Sequence, residues 1–108
     1  MVREVDQRTF AAAHAAGDYV IDVREPFEYV AGHVPGARLI PLDRLPRHLA
    51  GLPAGEPIYV ICASGGRSAT AAEFLTQRGI NARSVAGGIR EWAASGRPVV
   101  RGAEENAA

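Results

Sequence analysis

The chain contains a single cysteine, Cys62, and the residues around it have the types and spacing of a reactive group. The apolar run Ile58–Ile61 predicts a buried strand that ends at this thiol, and two glycines and Arg67 follow within the next five positions. A helix-forming stretch, Ser68–Arg78, comes next. Backbone N–H groups and the dipole at a helix N-terminus favour a thiolate, and Arg67 adds a fixed positive charge. The pattern therefore predicts a nucleophilic cysteine inside an anion-binding loop.

Composition limits the classes of protein to which the chain can belong. Its 108 residues allow one domain, and 47% hydrophobic with 22% charged residues is typical of a globular protein. A formal net charge of zero favours neither nucleic acid nor an acidic membrane as a partner. One cysteine and three widely separated histidines indicate no internal disulfide and no metal site. The absence of a signal-peptide pattern and of a long apolar run favours a cytoplasmic location without membrane insertion.

The elements that must position Cys62 alternate along the chain. We predict strands at 2–5, 19–23, 37–40, 57–61 and 82–85, and helices at 7–16, 25–31, 43–49, 68–78 and 89–94. Such alternation predicts an α/β domain of three layers, with a central, mainly parallel five-stranded sheet and helices on both faces. Ligands bind such sheets beyond the carboxyl ends of the strands, which is where Cys62 lies. We expect the domain to span residues 1–100, with 98–100 as an edge segment and 101–108 as a flexible tail.

Three sequence blocks carry a resemblance to a known family. They are IDVREPFEY at 21–29 with GHVPGA at 32–37, CASGGRS at 62–68, and AGGIREW at 86–92. With all three in this order, the chain resembles the rhodanese (thiosulfate sulfurtransferase) family in its single-domain bacterial form. One departure is Leu39, which stands where that family usually has asparagine.

The resemblance implies a reaction and a set of site residues. Cys62 would attack the outer sulfur of a small anionic donor such as thiosulfate, become a persulfide, and pass the sulfur to a thiol or cyanide acceptor. No cofactor is implied. Arg67 would either bind the donor or brace the loop, and the protein would be a monomer or a weak dimer. Inward-facing backbone amides of the loop would stabilise the charged sulfur. Besides Arg67, the loop residues expected to bind substrate are Ala63, Ser64, Gly65 and Gly66.

Other functions stay open at this point. Four residues separate Cys62 from Arg67, whereas cysteine phosphatases and arsenate reductases have a longer loop with room for a tetrahedral oxyanion, so we rank those classes lower. A persulfide carrier or sulfide-sensing protein would load Cys62 but deliver the sulfur to a partner protein. An inactive scaffold would need neither the thiol nor the loop. An inert core thiol is the simplest alternative, since free cysteines are often buried.

Four further residues are expected to support the site without reacting. Asp22 and Arg24 follow a neighbouring strand and are expected to form an ion pair or fix a turn. We expect the His33 ring to bond nearby backbone in the Gly-His-Val-Pro-Gly turn and not to act as a base. Ser68 is expected to cap the helix after the loop. We predict no catalytic role for Glu28, which we expect at the helix surface or in a supporting ion pair.

Overall fold

The computed structural model describes residues 2–106, and its elements alternate as the sequence predicts. The strands are β1 (Glu4–Val5), β2 (Tyr19–Asp22), β3 (Arg38–Leu39), β4 (Ile58–Ile61) and β5 (Ala82–Val85). The α-helices are α1 (Gln7–Ala15), α2 (Pro26–Ala31), α3 (Gly66–Gln77) and α4 (Gly88–Ala94). A 3₁₀ segment spans Leu42–Gly51 between β3 and β4.

The five strands form one sheet in the order β1-β5-β4-β2-β3, and every neighbouring pair is parallel. Strand β4 lies at the centre, and all four of its residues are buried, as expected for a strand covered on both faces. Asp22 at the end of β2 pairs with Ile61 at the end of β4, so the residues after both strands emerge at one sheet edge. The predicted α/β fold with a five-stranded parallel sheet is confirmed.

Two hydrophobic clusters hold the helices against the sheet. On one face, side chains of α3 and the 3₁₀ segment, including Leu75 and Leu45, pack on Val60 and Ile21. On the other face, Phe10 of α1 and Trp92 of α4 pack with Tyr59, Ile61 and Val85. Successive side chains of a strand point to opposite faces, which explains why Val60 and Ile61 belong to different clusters. Cys62 belongs to the first cluster and therefore lies on the α3 side of the sheet.

Two predicted elements differ from the observed ones. The short helix expected at 43–49, with Pro46 interrupting it or delaying its start, is a longer 3₁₀ segment that contains Pro46. Proline disfavours an α-helix here because it has no N–H to donate and its ring clashes with the preceding turn. The edge segment expected at 98–100 is a single antiparallel bridge between Val100 and His33.

The C-terminal segment 101–106, part of the stretch for which the sequence predicts a flexible tail, makes hydrogen bonds to the rest of the domain. The Gly102 N–H donates to the Val30 carbonyl at 2.9 Å, and the Gly36 N–H donates to the Glu105 carbonyl at 2.8 Å. His33 also contacts this segment, at the Glu104 carbonyl. This segment, which has no secondary structure of its own, thus contacts the domain through its backbone N–H and carbonyl groups, and the composition of the tail does not reveal such contacts. Met1, Ala107 and Ala108 lie outside the described residues.

Candidate active site

The loop after β4 is positioned from two sides. On one side it runs directly into α3, which begins at Gly66. On the other side the first turn of α4 binds its backbone: the Ile89 N–H donates to the Cys62 carbonyl at 2.9 Å, and the Arg90 N–H donates to the Ala63 carbonyl at 3.1 Å. Gly88 makes this approach possible, because a Cβ there would lie 2.5 Å from both carbonyl oxygens. The third sequence block therefore anchors the cysteine loop.

The Cys62 sulfur lies inside a ring of hydrogen-bond donors. It accepts from the Gly65 N–H at 3.1 Å and from the Ser68 N–H at 3.3 Å, and the Ser68 hydroxyl oxygen lies 3.4 Å away. Burial raises the pKa of the thiol, but the Ser68 side chain and the backbone N–H groups of Ser68, Gly65 and Ser64 lower it more, so the net pKa is below the ordinary value. The loop therefore favours the thiolate, the nucleophilic form.

The two loop glycines are not equivalent. Gly65 has φ +116°, a backbone conformation that residues with a Cβ rarely adopt, and this conformation aims its N–H at the sulfur. Gly66 is the first residue of α3, its φ is not positive, and a Cβ there would meet nothing within 4 Å. The backbone conformation of the loop therefore requires glycine at position 65 but not at position 66.

Arg67 forms a two-point ion pair with Glu28 of α2. Its Nη1 donates to Oε1 at 2.7 Å and its Nη2 donates to Oε2 at 2.9 Å. The hydrogen bonds from Arg67 lower the pKa of Glu28 to about 2, and Glu28 in turn raises the pKa of Arg67. The Glu28 carboxylate also accepts from the Glu25 N–H at 3.0 Å, which completes a capping box at the start of α2. Glu28 thus joins α2 to the cysteine loop.

Asp22 and Arg24 form a buried ion pair at the neighbouring strand end. The Arg24 Nη2 donates to Asp22 Oδ2 at 2.7 Å and to the Gly32 carbonyl at 2.8 Å, and the Arg24 N–H donates to Asp22 Oδ1 at 3.0 Å. Asp22 is fully buried and Arg24 is 5% exposed. The pair therefore closes the turn between β2 and α2, the helix that carries Glu28.

His33 is fully buried and has no free ring nitrogen for proton transfer. Its Nδ1 lies 2.9 Å from the Tyr29 carbonyl and its Nε2 lies 2.9 Å from the Glu104 carbonyl, and the ring stacks on that of Tyr29. The ring thus contacts a nearby carbonyl, as the sequence suggests, and also the C-terminal segment, which the sequence does not suggest.

Ser68 is not the cap of α3. The helix begins two residues earlier than predicted, Gly65 occupies the N-cap, and Ser68 is fully buried in the first turn. Its hydroxyl lies 3.1 Å from the Gly65 carbonyl and 2.8 Å from the Ser84 hydroxyl. Sequence reasoning did not find Ser84, whose one signal is a polar residue within the buried strand β5.

Comparison with known proteins agrees with this geometry. The family model of the rhodanese-like domain matches residues 5–95. The chain belongs to the rhodanese-like domain family. A sulfurtransferase of Allochromatium vinosum is 32% identical over 103 residues, which cover 93% of this chain and 96% of that protein. The thiosulfate sulfurtransferase GlpE of Stutzerimonas stutzeri is 33% identical over 84 residues, 74% of this chain and 77% of that protein.

A solved structure is similar to this chain in both fold and sequence. The rhodanese-related protein of Thermoplasma volcanium superposes with a TM-score of 0.85 at 39% identity, covering 94% of this chain and 99% of that chain. Together with the relatives named sulfurtransferase, this likeness supports sulfur transfer as the general function of this rhodanese-like protein. Within residues 2–106, no three His, Cys, Asp or Glu side chains are grouped as metal ligands. Over the same residues, no helix combines the length and apolar character needed to cross a bilayer.

Proposed function

We propose that this rhodanese-like protein is a transferase that carries sulfur on Cys62 as a persulfide. The observation that supports this most directly is the ring of donors around the sulfur: the Gly65 and Ser68 N–H groups lie 3.1 and 3.3 Å from it. These donors lower the pKa of the thiol against the opposing effect of its burial. Preorganised N–H groups stabilise a negative sulfur without a proton and without a metal ion.

In the first half-reaction the Cys62 thiolate attacks the outer sulfur of a sulfane donor. With thiosulfate, the new bond joins the two sulfurs, the sulfur–sulfur bond of thiosulfate breaks, and its electron pair leaves with sulfite. The product is a Cys62 persulfide anion, so the total charge is unchanged. Loop N–H groups, including those of Gly65 and Ser68, would then share the charge of the sulfur pair.

In the second half-reaction a thiophilic acceptor attacks the terminal sulfur. Cyanide forms thiocyanate, the sulfur–sulfur bond breaks, and its electron pair returns to Cys62 as thiolate. A thiolate acceptor reacts in the same way and leaves as a new persulfide. Because the enzyme alternates between two forms, we expect ping-pong kinetics. Neither half-reaction requires a general base once the thiolate is formed, which fits a His33 ring that is occupied by backbone carbonyls.

The experiment that tests the proposal is intact mass spectrometry of reduced protein after incubation with thiosulfate, and again after cyanide. We expect a gain of one sulfur atom, followed by its loss and the release of thiocyanate. A gain without loss to cyanide would favour a carrier that delivers sulfur to a partner protein. Turnover of an aryl phosphate without any sulfur gain, even from a persulfide donor, would overturn the proposal in favour of a cysteine phosphatase.

Two variants that change the charge balance of the Arg67–Glu28 pair distinguish donor binding by Arg67 from bracing of the loop. We expect Glu28→Gln to free the Arg67 guanidinium for dianionic thiosulfate and to lower the KM about fivefold, provided that the guanidinium reaches the donor. Arg67→Ala removes that cation and leaves the Glu28 carboxylate without its counter-charge. It should therefore raise the KM by a similar factor. The measurement is the rate of sulfur loading against thiosulfate concentration. Glu73→Gln removes a carboxylate farther along α3 and serves as the control.

The two roles of Arg67 give different outcomes in this pair of variants. A guanidinium that only braces the loop would raise the KM in both Glu28→Gln and Arg67→Ala, and the melting temperature would fall in both. Opposite signs of the KM change would instead assign Arg67 to the donor. An unchanged KM in both variants would exclude either role in donor binding.

A further inference from the structure

We propose that Ser84 is a positioning residue for the reaction of Cys62: its hydroxyl donates to Ser68 and so directs the Ser68 proton to the sulfur when the thiolate forms. The inference rests on the proposed function only in taking the thiolate as the reacting form. Ser84 lies on β5 beside Val60 of β4, two residues before the cysteine, and does not contact the sulfur itself.

The direction of the bond between the two serines follows from the partners available. Ser84 is fully buried, and within residues 2–106 its hydroxyl has one hydrogen-bond partner, Ser68 Oγ at 2.8 Å. If Ser68 were the donor, the Ser84 proton would be buried without an acceptor, which costs about 1–3 kcal/mol. Ser68 has another acceptor for its own proton, the Gly65 carbonyl at 3.1 Å. The arrangement that satisfies both hydroxyls therefore has Ser84 donating to Ser68.

The Ser68 hydroxyl can serve both protonation states of Cys62. With the thiol protonated, the S–H donates to Ser68 Oγ at 3.4 Å and Ser68 donates to the Gly65 carbonyl. With the thiolate, the Ser68 O–H can rotate to the sulfur instead. The Gly65 carbonyl is not left unpaired by this rotation, since it also accepts from the Ala69 N–H at 3.1 Å. The rotation thus exchanges one hydrogen bond for a stronger one to a charged atom.

Ser84 favours the thiolate because its donated bond matters more in that state. In the thiol form the Ser68 oxygen accepts from two donors, the S–H and the Ser84 O–H. In the thiolate form the S–H is gone, and Ser84 is the remaining donor to that buried oxygen. A hydroxyl that accepts a hydrogen bond is also a better donor, here toward the sulfur. Removing the Ser84 hydroxyl should therefore raise the pKa of Cys62.

The charged groups around the loop are the same in the wild type and in a Ser84 variant. Four of them form the two ion pairs already described, Arg67–Glu28 and Arg24–Asp22. On β5 the Arg83 guanidinium is directed to the Tyr59 hydroxyl. Two more, Arg90 and Glu91, lie on α4 and are exposed. A change at Ser84 removes none of these charges.

The test is the pH dependence of the rate at which iodoacetamide alkylates Cys62, which reports the thiolate and needs no sulfur transfer. We expect Ser84→Ala to raise the inflection by about half a pKa unit, a loss of about threefold in rate below it, and Ser68→Ala to raise it by about one unit. In the Ser68→Ala background, Ser84→Ala should add nothing, because its effect passes through Ser68. Ser84→Thr keeps the hydroxyl and should keep the inflection, although its extra methyl group lowers stability.

Ala82→Gly is the matched control, because it removes a buried methyl group from the same strand and the same face without touching the serines. It should lower the melting temperature and leave the inflection in place. An unchanged inflection in Ser84→Ala, or a shift that persists in the Ser68→Ala background, would overturn the inference. Because alkylation needs no donor or acceptor, a protein that never loads sulfur would refute the proposed function while leaving this inference testable.

Discussion

Replacing Cys62 by serine should abolish sulfur loading and all turnover that depends on it. Serine preserves the shape of the side chain, and its hydroxyl can still meet the Gly65 and Ser68 N–H groups. A hydroxyl is nevertheless a very poor nucleophile toward sulfur, because the donors that favour a thiolate cannot ionise it near neutral pH. The chain has no other cysteine, so any sulfur gained by the wild type resides on this thiol. Intact mass spectrometry after incubation with thiosulfate measures the loss directly.

A variant with its thiol moved along the loop tests whether any thiol can load sulfur or whether the donors around position 62 are needed. In Cys62→Ser/Ser64→Cys the chain keeps one cysteine, but the thiol stands two residues along the loop and leaves the ring of donors. We expect this variant to load sulfur far more slowly than the wild type, with a melting temperature close to that of Cys62→Ser. Loading by Cys62→Ser would refute Cys62 as the sulfur carrier. Loading at the wild-type rate by the displaced-thiol variant would instead refute the contribution of the donor ring around the sulfur.

The position of Cys62 could be predicted because local signals agree. A short apolar run followed by glycines and a helix-forming stretch indicates a buried strand and a turn, and alternating elements of this kind form parallel sheets. Strand β5 was predicted with the observed bounds, Ala82–Val85. The carboxyl ends of β2 and β4 then meet at one edge, which brings Asp22 and Cys62 to the same end of the sheet.

Helix starts in the site were harder to predict. A serine before a helical stretch is a frequent cap, yet α3 begins at Gly66 and Ser68 is buried in its first turn. Gly65 can occupy the N-cap without a capping side chain because the Cys62 sulfur accepts the first-turn N–H of Ser68 that a side-chain oxygen would otherwise accept. Local capping preferences contain no information about a thiol that is three residues away along the chain but adjacent in space.

Contacts between distant elements escaped sequence reasoning for a different reason. Glu28 and Arg67 are 39 residues apart, and His33 and Glu104 are 71 apart. Each residue looks like a surface or turn residue in its own segment. Which carboxylate meets which guanidinium depends on how α2 and α3 pack against one sheet edge, and a single sequence does not encode that pairing in a local pattern. Ser84 is a similar case, since its partner lies on another element.

The buried ion pair Asp22–Arg24 should dominate the stability of the loop that leads to α2. We expect Asp22→Asn to lower the free energy of unfolding by about 3–5 kcal/mol, because Arg24, which is 5% exposed, would keep its charge without a counter-charge. That is a large part of the roughly 5–15 kcal/mol that stabilises a typical domain. Urea unfolding measures the change. Arg101→Ala removes an exposed arginine that donates to the Ala31 carbonyl and should change stability by less than about 0.5 kcal/mol.

Removing both charges should cost much less than the two single changes together. In Asp22→Asn/Arg24→Met the Asn oxygen can still accept the Arg24-position N–H, as Asp22 Oδ1 does at 3.0 Å, and methionine fills the space of the arginine stem. Its loss of stability should therefore fall short of the sum of the single losses by several kcal/mol. A loss below about 1 kcal/mol in Asp22→Asn alone would mean that water or another group compensates Arg24. The pair supports the turn that carries α2, and hence Glu28, but takes no part in either half-reaction. The folded double variant should therefore still load sulfur on Cys62, and this result would assign the pair to the scaffold and not to the reaction.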